Sequence, residues 1–581
     1  MRLRIVFSIA FGLASLRPAG AQDFTLKIIA LNDLHGYVQS PGVFRANAQS
    51  PEVPVGGVDF LAGYIAHLKS QNPYNVVVSA GDLTGASPLN SALFHDEDTI
   101  EAMNRAGLEI NAVGNHEFDQ GRKELLRFQH GGCSTQDHNT CKGAATGTPV
   151  PFEGAKFKYL AANVFDTSTG KTIFPGYTIK TYNGVSIAFI GLTLKDTPAE
   201  VTFGRTAGLR FADEADTINA IVRRLHKQGI ESFVVLIHQG GRQTTKGTSD
   251  INACEGDLKG TPIQSIVNRL DDAVALVISA HTHLAYICQV PNSVGRKIPV
   301  TSASAFGRLL TDIDVTLNKK TKKVTSVSAH NILVDRTNPA ITPDPAIKTL
   351  IDRYAVLAAP IVNREVGSIT ATITKAKDDR GESFLSDLIA DAQLEAPSPS
   401  AAGAAVIAFT NTEGVRSDLP FASGVPGLEP GKVTYGELFA VQPFRNTLVT
   451  MTLTGAQIRA LLEEQFKGCA LGAAPGDDDA PSGDRWLAVS RGFTYILNNS
   501  GATCNKIDPT GIKLDGVVVD PAAKYRVTVN SFLADGGALF HVLPKGTDRL
   551  VGPPDIDALT AYFAKHPSIA PTQPHRINVA P

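Results

Sequence analysis

Residues 113–121 (Val-Gly-Asn-His-Glu-Phe-Asp-Gln-Gly) place an amide, an imidazole and a carboxylate directly after an apolar segment. Asn115 can give a neutral oxygen to a metal ion, and His116 can donate a proton or a hydrogen bond to a reacting group. Asp119 can hold the other nitrogen of that imidazole. A polar strand-to-helix loop capped by Asp119 is the less specific interpretation. The loop alone leaves both interpretations open.

Five apolar segments, each predicted to be a strand, end on side chains that can bind a metal ion. The segments are 24–31, 75–79, 110–113, 232–237 and 273–279. The potential ligands that follow them are Asp33, His35, Asp82, Asn115, His238, His281 and His283. Predicted helices separate the strands, which indicates a largely parallel or mixed sheet covered by helices. Because such sheets place their sites at the carboxyl ends of the strands, we expect these ligands to converge.

These potential ligands outnumber the roughly four that one tetrahedral metal ion uses, so a site for two metal ions fits the sequence better. The carboxylate of Asp82 could bridge two cations, and a hydroxide bridging the same cations would be a strong nucleophile at neutral pH. Such a centre suits attack on a phosphoryl group. Mixed oxygen and imidazole ligands suit zinc, manganese or cobalt, and the sequence does not distinguish these metals.

The amino terminus predicts export. Two arginines precede the apolar run 5–16, and Ala19-Gly20-Ala21 offers the small residues that a signal peptidase needs. We therefore expect residues 1–21 to be a signal peptide, cleaved near Ala21, and the mature protein to be periplasmic or secreted. The run is shorter than the roughly 20 apolar residues that span a bilayer, so we expect no stable membrane association.

The charge balance argues against nucleic acid as a partner. Loss of residues 1–21 removes three arginines and no acids, which leaves 51 basic against 56 acidic residues and moves the formal charge from −2 to −5. We expect no general basic surface for nucleic acid, so a phosphate-bearing ligand must be held by local charge. The sequence leaves the oligomeric state open.

The cysteines predict disulfide bonds. The chain has six cysteines without a CxxC pair, and an even number in an exported protein favours disulfides. Nearest-neighbour pairing, one of several possible connectivities, predicts Cys133–Cys141, Cys254–Cys288 and Cys469–Cys504.

The second half of the chain predicts a separate domain. Residues 344–366 carry apolar side chains at helical spacing, which indicates a long helix between two domains. We therefore divide the mature chain into a first domain at 22–340, a linker helix at 341–366 and a second domain at 367–581.

The polar motifs resemble a known family. The calcineurin-type metallophosphoesterases carry five sequence blocks, which this chain resembles at Asp33-x-His35, Gly81-Asp82, Gly114-Asn115-His116-Glu117, His238 and His281-x-His283. The form Asn115-His116-Glu117-Phe118-Asp119-x-Gly121, joined to a second domain, is similar to the bacterial 5'-nucleotidase and UDP-sugar hydrolase family. The related periplasmic 2',3'-cyclic phosphodiesterases usually have Asn in place of Asp119, so they are the alternative.

The resemblance implies an α/β fold, in which a four-layered metallophosphatase sandwich is joined by a linker helix to a smaller α/β domain that binds nucleotide and rotates. It implies one metal ion held by Asp33, His35, Asp82 and His283. It implies a second held by Asp82, Asn115, His238 and His281. His116, oriented by Asp119, would stabilise the transition state and assist the leaving group, a role that its chemistry supports independently.

The resemblance also implies a nucleotide site in the second domain. Phe444 and Phe532 match the two aromatic rings that hold the base, although a Phe after a strand is more often part of a core. Asn411 and Arg416 match polar contacts to the nucleotide, and Arg416 could pair with phosphate. Arg380 is a second candidate for phosphate, with a solvated loop arginine as the equal alternative.

Together these features predict an exported dimetal phosphohydrolase that releases phosphate from nucleoside 5'-monophosphates and related nucleotides through a metal-bridging hydroxide. The alternatives are a 2',3'-cyclic-nucleotide phosphodiesterase and 3'-nucleotidase, a broad phosphomonoesterase, and a non-catalytic nucleotide-binding protein. One departure bears on the substrate, because Ala538 stands where the family has an Asp that binds the ribose hydroxyls. We expect this change to weaken discrimination between ribose and deoxyribose.

Overall fold

A computed structural model describes residues 23–135, 137–202, 204–243, 250–423, 425, 427–472 and 484–580. The predicted signal peptide, residues 1–21, lies outside the described residues. No helix within the described ranges combines the length and the apolar character needed to span a membrane.

The first sheet has six strands and carries three of the predicted ligand segments. In spatial order the strands are Val324–Leu333, Leu309–Leu317, Phe24–Leu31, Asn75–Ser79, Ile110–Ala112 and Lys158–Leu160. The last four are parallel neighbours, whereas the first two are antiparallel additions at one edge. The strands before Asp33, Asp82 and Asn115 therefore end side by side.

The second sheet also has six strands and carries the remaining ligand segments. In spatial order they are Ala285–Pro291, Lys297–Ala303, Val274–Ile278, Ser232–His238, Val185–Thr193 and Tyr177–Tyr182. The four inner strands are parallel, and an antiparallel strand closes each edge. His238 is the last residue of its strand, and His281 follows its neighbour.

The two sheets pack face to face through one apolar core, to which the first sheet gives Ile28 and Val76 and the second gives Phe189 and Leu236. Helices cover the outer face of each sheet. Those of the first sheet include Val58–Gln71 and Glu97–Ala106, and those of the second include Glu214–His226 and Pro262–Val267. The predicted four-layered sandwich is therefore confirmed.

Short elements complete this part of the chain. The short helices are Leu89–Ala92, Arg122–His130, Gly143–Thr146 and Thr197–Glu200. The short strand pairs are Val43–Phe44 with Val53–Pro54, and Val164–Asp166 with Leu209–Phe211.

The carboxyl-terminal part is a smaller α/β unit. Its main sheet has the strand order Leu487–Val489, Ile407–Asn411, Lys524–Asn530, Thr447–Thr454 and Thr547–Pro554. A second sheet has the order Val517–Val518, Lys513–Leu514, Phe493–Leu497 and Ile577–Val579. The helices are Phe384–Glu395, Tyr435–Val441, Gly455–Glu463, Ser531–Ala534 and Asp555–Lys565. Thr434 and Thr454 begin two of these helices with capping boxes.

A long helix, Pro345–Val362, joins the two parts, and the side chain of Asp344 caps it by accepting hydrogen bonds from two backbone amides. Its buried face, which includes Leu350 and Tyr354, packs on helices of the first part. It also touches helix Tyr435–Val441 of the second part. The helix ends before 366, because residues Glu365–Ser368 form a strand with Lys432–Thr434 instead.

The cysteines form the three predicted disulfides, Cys133–Cys141, Cys254–Cys288 and Cys469–Cys504. Each bond joins chain segments within one part of the molecule. The nearest-neighbour pairing is confirmed.

Candidate metal centre and substrate cavity

Several predicted ligands have left-handed backbone conformations at the ends of their strands. The φ angles are +51° at Asp33, +49° at His35, +52° at Asp82, +73° at His281 and +58° at His283. Non-glycine residues seldom adopt such angles, and they cluster at functional sites. Left-handed backbone, and not an extended strand, therefore aims the side chains of Asp33 and His35.

The first group of converging ligand atoms comes from Asp33, His35 and His283. Asp33 Oδ1 lies 3.9 Å from His35 Nε2 and 3.5 Å from His283 Nε2. The two Nε2 atoms of the histidines lie 3.0 Å apart. Two imidazole nitrogens at this distance can share a hydrogen bond, with one Nε2–H donating to the other ring, or can direct both lone pairs to a shared cation.

The second group comes from Asp82, His238 and His281. Asp82 Oδ2 lies 3.0 Å from His238 Nε2 and 3.6 Å from His35 Nε2, so this carboxylate lies between the two groups. Asn115 Oδ1 is 3.2 Å from His281 Nδ1. All seven predicted ligands are therefore brought together.

Backbone carbonyls set which nitrogen each buried histidine offers. His35 Nδ1 lies 2.8 Å from the oxygen of Gly85, and His238 Nδ1 lies 2.9 Å from the oxygen of Ala80. Each Nδ1–H can donate to its carbonyl, which leaves Nε2 free to bind a metal ion. Asp82 Oδ2 and His238 Nε2 are buried and, apart from their own 3.0 Å contact, have no hydrogen-bond partner. The residues therefore fit a bound divalent cation.

Glu117 is a buried residue for which the sequence suggested no separate role. Its carboxylate accepts hydrogen bonds from the backbone amides of Gly114 (2.6 Å), Asp82 (3.0 Å) and Leu83 (2.8 Å). It thereby ties the loop that carries Asn115 to the loop that carries Asp82. The sequence feature that could have identified Glu117 is its position inside the Asn-His-Glu motif.

Gly114 is required by close approach. A Cβ atom at this position would collide with Oδ1 of Asp82. The φ angle of Gly114 is not positive, so the need for glycine here is spatial and not conformational.

His116 has the predicted partner. Its Nδ1 lies 2.9 Å from Asp119 Oδ2, and its backbone amide donates to Asp82 Oδ1 at 2.9 Å. Burial alone would lower the pKa of His116, but the carboxylates of Asp119 and Asp82 outweigh it and raise the pKa above its usual value. The ring is therefore held beside the ligand groups with its Nε2 directed away from Asp119.

The two ligand carboxylates have opposite electrostatic environments. Burial raises the pKa of Asp33, whereas at Asp82 burial is outweighed by His238, His116 and His35, which lower the pKa. Asp82 is therefore the more strongly ionised carboxylate of the pair.

A cavity of about 450 Å³ opens from the ligand groups toward the carboxyl-terminal part. Among the predicted residues, its lining includes Asp82, Asn115, His116, Asp119, His281, His283, Asn411, Arg416, Phe444, Phe532 and Ala538. Asp33, His35 and His238 are buried behind this lining. The sequence did not single out other lining residues, such as Arg242, Glu413, Asn446 and Arg485.

Contacts across the cavity bring the two parts of the chain together. The ring of Phe444 stacks on His116 with 5.8 Å between centroids, and the guanidinium carbon of Arg416 lies 5.9 Å from the ring of Phe444. Nη2 of Arg416 is buried without a hydrogen-bond partner. A cation with an unused donor therefore faces the metal centre.

Arg380 is not part of this cavity. Its guanidinium donates to Asp378 Oδ2 and to the backbone oxygens of Pro574 and Ile577. These acceptors hold the side chain against the carboxyl-terminal strand and outside the cavity. The phosphate contact suggested for Arg380 is therefore not formed in this arrangement and stays a prediction.

Comparisons with known proteins agree with this geometry. The family described as "Calcineurin-like phosphoesterase" matches residues 26–285, and "5'-nucleotidase, C-terminal domain" matches residues 365–545. The fold and the site thus define a metal-dependent phosphoester hydrolase. The chain belongs to the calcineurin-like metallophosphoesterases that carry a 5'-nucleotidase C-terminal domain.

Similar proteins extend over nearly the whole chain. "Endonuclease YhcR" of Bacillus subtilis is 29% identical over 98% of this chain, which spans 42% of the length of that protein. A "Probable 5'-nucleotidase" of Treponema pallidum is 24% identical over 92% of this chain and 90% of its own length. The structure of a 5'-nucleotidase precursor from Thermus thermophilus superposes with a TM-score of 0.74, at 24% identity over 96% of this chain and 99% of that one.

Proposed function

We propose that this protein is an exported phosphohydrolase that releases phosphate from nucleoside 5'-monophosphates and related nucleotides. The observation that carries the proposal is the single cavity that joins the ligand groups to Phe444, Phe532 and Arg416. A nucleotide has the matching parts, since its base can stack on aromatic rings and its phosphate can pair with arginine.

The ligand groups support two divalent cations, with zinc, manganese and cobalt as the candidates. Asp33, His35 and His283 would hold the first, while Asn115, His238 and His281 would hold the second. Asp82 would serve both, as its place between the groups suggests. When bound, the cations would supply Lewis-acid polarisation of the phosphoryl group and a nucleophile at neutral pH.

His116 and Asp119 form the catalytic pair of the proposal. Asp119 fixes the ring of His116, which can then donate a hydrogen bond from Nε2 to charge that develops on the phosphoryl or leaving-group oxygen. Arg416 would neutralise phosphate charge with its free guanidinium donor. Asn411 and the rings of Phe444 and Phe532 would orient the nucleoside.

We further propose that the chain divides into a first domain at 22–340, a linker segment at 341–366 that contains the helix Pro345–Val362, and a second domain at 367–581. The aromatic residues and the ligand groups lie on different domains, which supports a reaction that requires domain closure. Three disulfides support an oxidising compartment, and thus export.

A substrate panel with metal analysis tests the function. We expect two divalent ions per chain and phosphate release from AMP that exceeds release from 2',3'-cyclic AMP. Preference for the cyclic substrate would favour the phosphodiesterase alternative. AMP binding without phosphate release would identify a non-catalytic nucleotide-binding protein and overturn the proposal.

Ala538 leads to a prediction about the sugar. Its side chain lines the cavity and accepts no hydrogen bond, whereas a carboxylate there would bond both ribose hydroxyls. The nearby Asp535 is engaged by Arg549 at 2.5 Å and does not line the cavity. We therefore expect a kcat/KM ratio for AMP over dAMP near one.

Ala538→Asp is the matched variant. The backbone at position 538 is left-handed, with φ of +54°, and this conformation suits Asp better than Ala. The variant should therefore fold. We expect the AMP:dAMP ratio to rise about 10-fold or more, as a charge-assisted bond to a hydroxyl would produce. A strong ribose preference already present in the wild type would contradict the prediction, and its loss in Asp535→Ala would identify the group responsible.

A further inference from the structure

The carbonyl that orients the ligand His35 belongs to a strained loop. Gly85 O lies 2.8 Å from His35 Nδ1, and both Gly85 and Ala86 have left-handed backbone, with φ of +83° and +48°. A Cβ atom at Gly85 would collide with the backbone oxygen of His116. An alanine seldom adopts such an angle, so contacts from outside the loop must hold this carbonyl in place.

Two carboxylates hold the backbone on the two sides of Gly85. The amide of Gly85 donates to Asp96 Oδ2 at 3.3 Å, and the amide of Ala86 donates to Asp119 Oδ2 at 3.2 Å. The carbonyl of Gly85 and the amide of Ala86 belong to one peptide group, so a carboxylate that accepts from the amide makes the carbonyl a stronger acceptor. The contact with Asp119 therefore strengthens the hydrogen bond between Gly85 and His35.

The helix that Asp96 begins does not explain its carboxylate. Asp96 is the N-cap residue of helix Glu97–Ala106, and the side chain of an Asp at that position usually accepts a hydrogen bond from the first turn. The side chain of Asp96 forms no such bond, although it is only 2% exposed. Its carboxylate accepts from Gly85 instead, so this buried charge serves the loop and not its own helix.

Asp119 is shared between a metal ligand and the proposed catalytic histidine. Its Oδ2 accepts from the amide of Ala86 and also lies 2.9 Å from His116 Nδ1. A continuous chain of hydrogen bonds therefore runs from His116 through Asp119 and the peptide group 85–86 to His35. The rings of His35 and His116 are also in edge contact, with 5.1 Å between centroids.

We propose that Asp96 and Asp119 are positioning residues for His35, which act through the backbone of Gly85 and Ala86 and set the affinity of the metal ion that His35 helps to hold. Asp119 then has two roles, because it also orients the catalytic histidine, whereas Asp96 has only one. The inference rests on the assignment of His35 to the first metal ion under the proposed function.

Titration of the metal-free protein with Zn²⁺ against a chelating indicator is the primary test, because it needs no substrate. Asp96→Ala should weaken one of the two zinc ions about 10-fold or more, the usual effect of losing a group that orients a metal ligand. Asp96→Asn should restore most of the affinity, because its amide oxygen can still accept from Gly85. Asp59→Ala is the matched control, since Asp59 is also a buried acid at the start of a helix but accepts from Arg336.

Variants of the catalytic pair separate the two roles of Asp119. Asp119→Ala should weaken the same zinc ion as Asp96→Ala and should also lower kcat. His116→Ala should lower kcat and leave zinc affinity unchanged, because the bond between Asp119 and Ala86 remains. Asp119 is less buried than Asp96, so Asp119→Ala tests the same peptide group even if Asp96→Ala does not fold.

Circular dichroism and thermal unfolding of the metal-free proteins complete the test. Wild-type zinc affinity in folded Asp96→Ala and Asp119→Ala would overturn the proposal. An equal loss of affinity in Asp59→Ala, or a loss that Asp96→Asn does not restore, would give Asp96 a merely structural role and also overturn it. Normal zinc binding in all proteins together with no turnover of AMP by the wild type would refute the proposed function as well, so the two failures are distinguishable.

Discussion

His116→Ala is expected to lower kcat about 10²–10⁴-fold, the range for loss of a positioned proton donor or acceptor, while the metal content stays unchanged. The imidazole is bound to Asp119 through Nδ1 and is not among the atoms of the two ligand groups. Its removal takes away an interaction with the reacting group but no metal ligand. Steady-state kinetics and metal analysis on the same desalted sample check both halves of this prediction.

Two companion variants make the result specific. Asp119→Asn should also lower kcat, because it weakens the contact that fixes the ring of His116. His226→Ala removes an exposed histidine that lies near Glu231 and far from the site, so its activity should match the wild type. A metal-free His116→Ala protein would show that His116 holds a cation, which would contradict the assignment.

The positions of the ligands could be predicted from sequence because two local signals coincide. Apolar segments such as 75–79 and 232–237 are long enough to be buried strands, and a polar residue with ligand chemistry follows each within three residues. Parallel pairing then brings the carboxyl ends together regardless of how far apart the segments are in the chain. The disulfide pairing was also predictable, since each bond joins cysteines that are neighbours in the order of cysteines along the chain.

The conformations at these strand ends were not predictable. Asp33 and His35 reach the same cluster through left-handed backbone, which tertiary contacts impose; the amide of Asp33 donates to the oxygen of Gly81, and that of His35 donates to the oxygen of Asp82. Glu117 is similar, because it accepts hydrogen bonds from the amides of Asp82 and Leu83, which precede it by 35 and 34 residues.

Contacts with segments distant in sequence also determine where the Arg380 side chain lies and where the linker helix ends. Arg380 is drawn away from the cavity by oxygens of Pro574 and Ile577, nearly 200 residues later. Residues 365 and 366, predicted as the end of the helix, belong to the strand Glu365–Ser368 because strand Lys432–Thr434 offers that segment hydrogen-bond partners. The local sequence identifies neither of these distant partners. Predictions made from the local sequence therefore missed both contacts.

Asp82→Ala should affect the protein more broadly than His116→Ala, because bound metal is lost as well as activity. We expect activity to fall about 10³-fold or more, equivalent to several kcal/mol of lost transition-state stabilisation. Asp82 is the carboxylate that lies between the two ligand groups, 3.6 Å from His35 and 3.0 Å from His238. Its removal therefore weakens both ion sites at once. Removal of His283, which belongs to only one group, should instead leave part of the metal bound.

Asp82→Asn tests the negative charge of Asp82 alone, because Asn has nearly the same size and shape as Asp. The amide oxygen can still accept the backbone hydrogen bond of His116, so the loop should keep its conformation while one negative charge is lost. We expect Asp82→Asn to bind metal more weakly than the wild type but more tightly than Asp82→Ala. Metal analysis after desalting ranks the wild type, Asp82→Asn and Asp82→Ala by the metal that each retains. Circular dichroism verifies that all three are folded. Two ions per chain in a folded Asp82→Ala protein would show that the remaining ligands hold both cations, and that Asp82 is not shared between them.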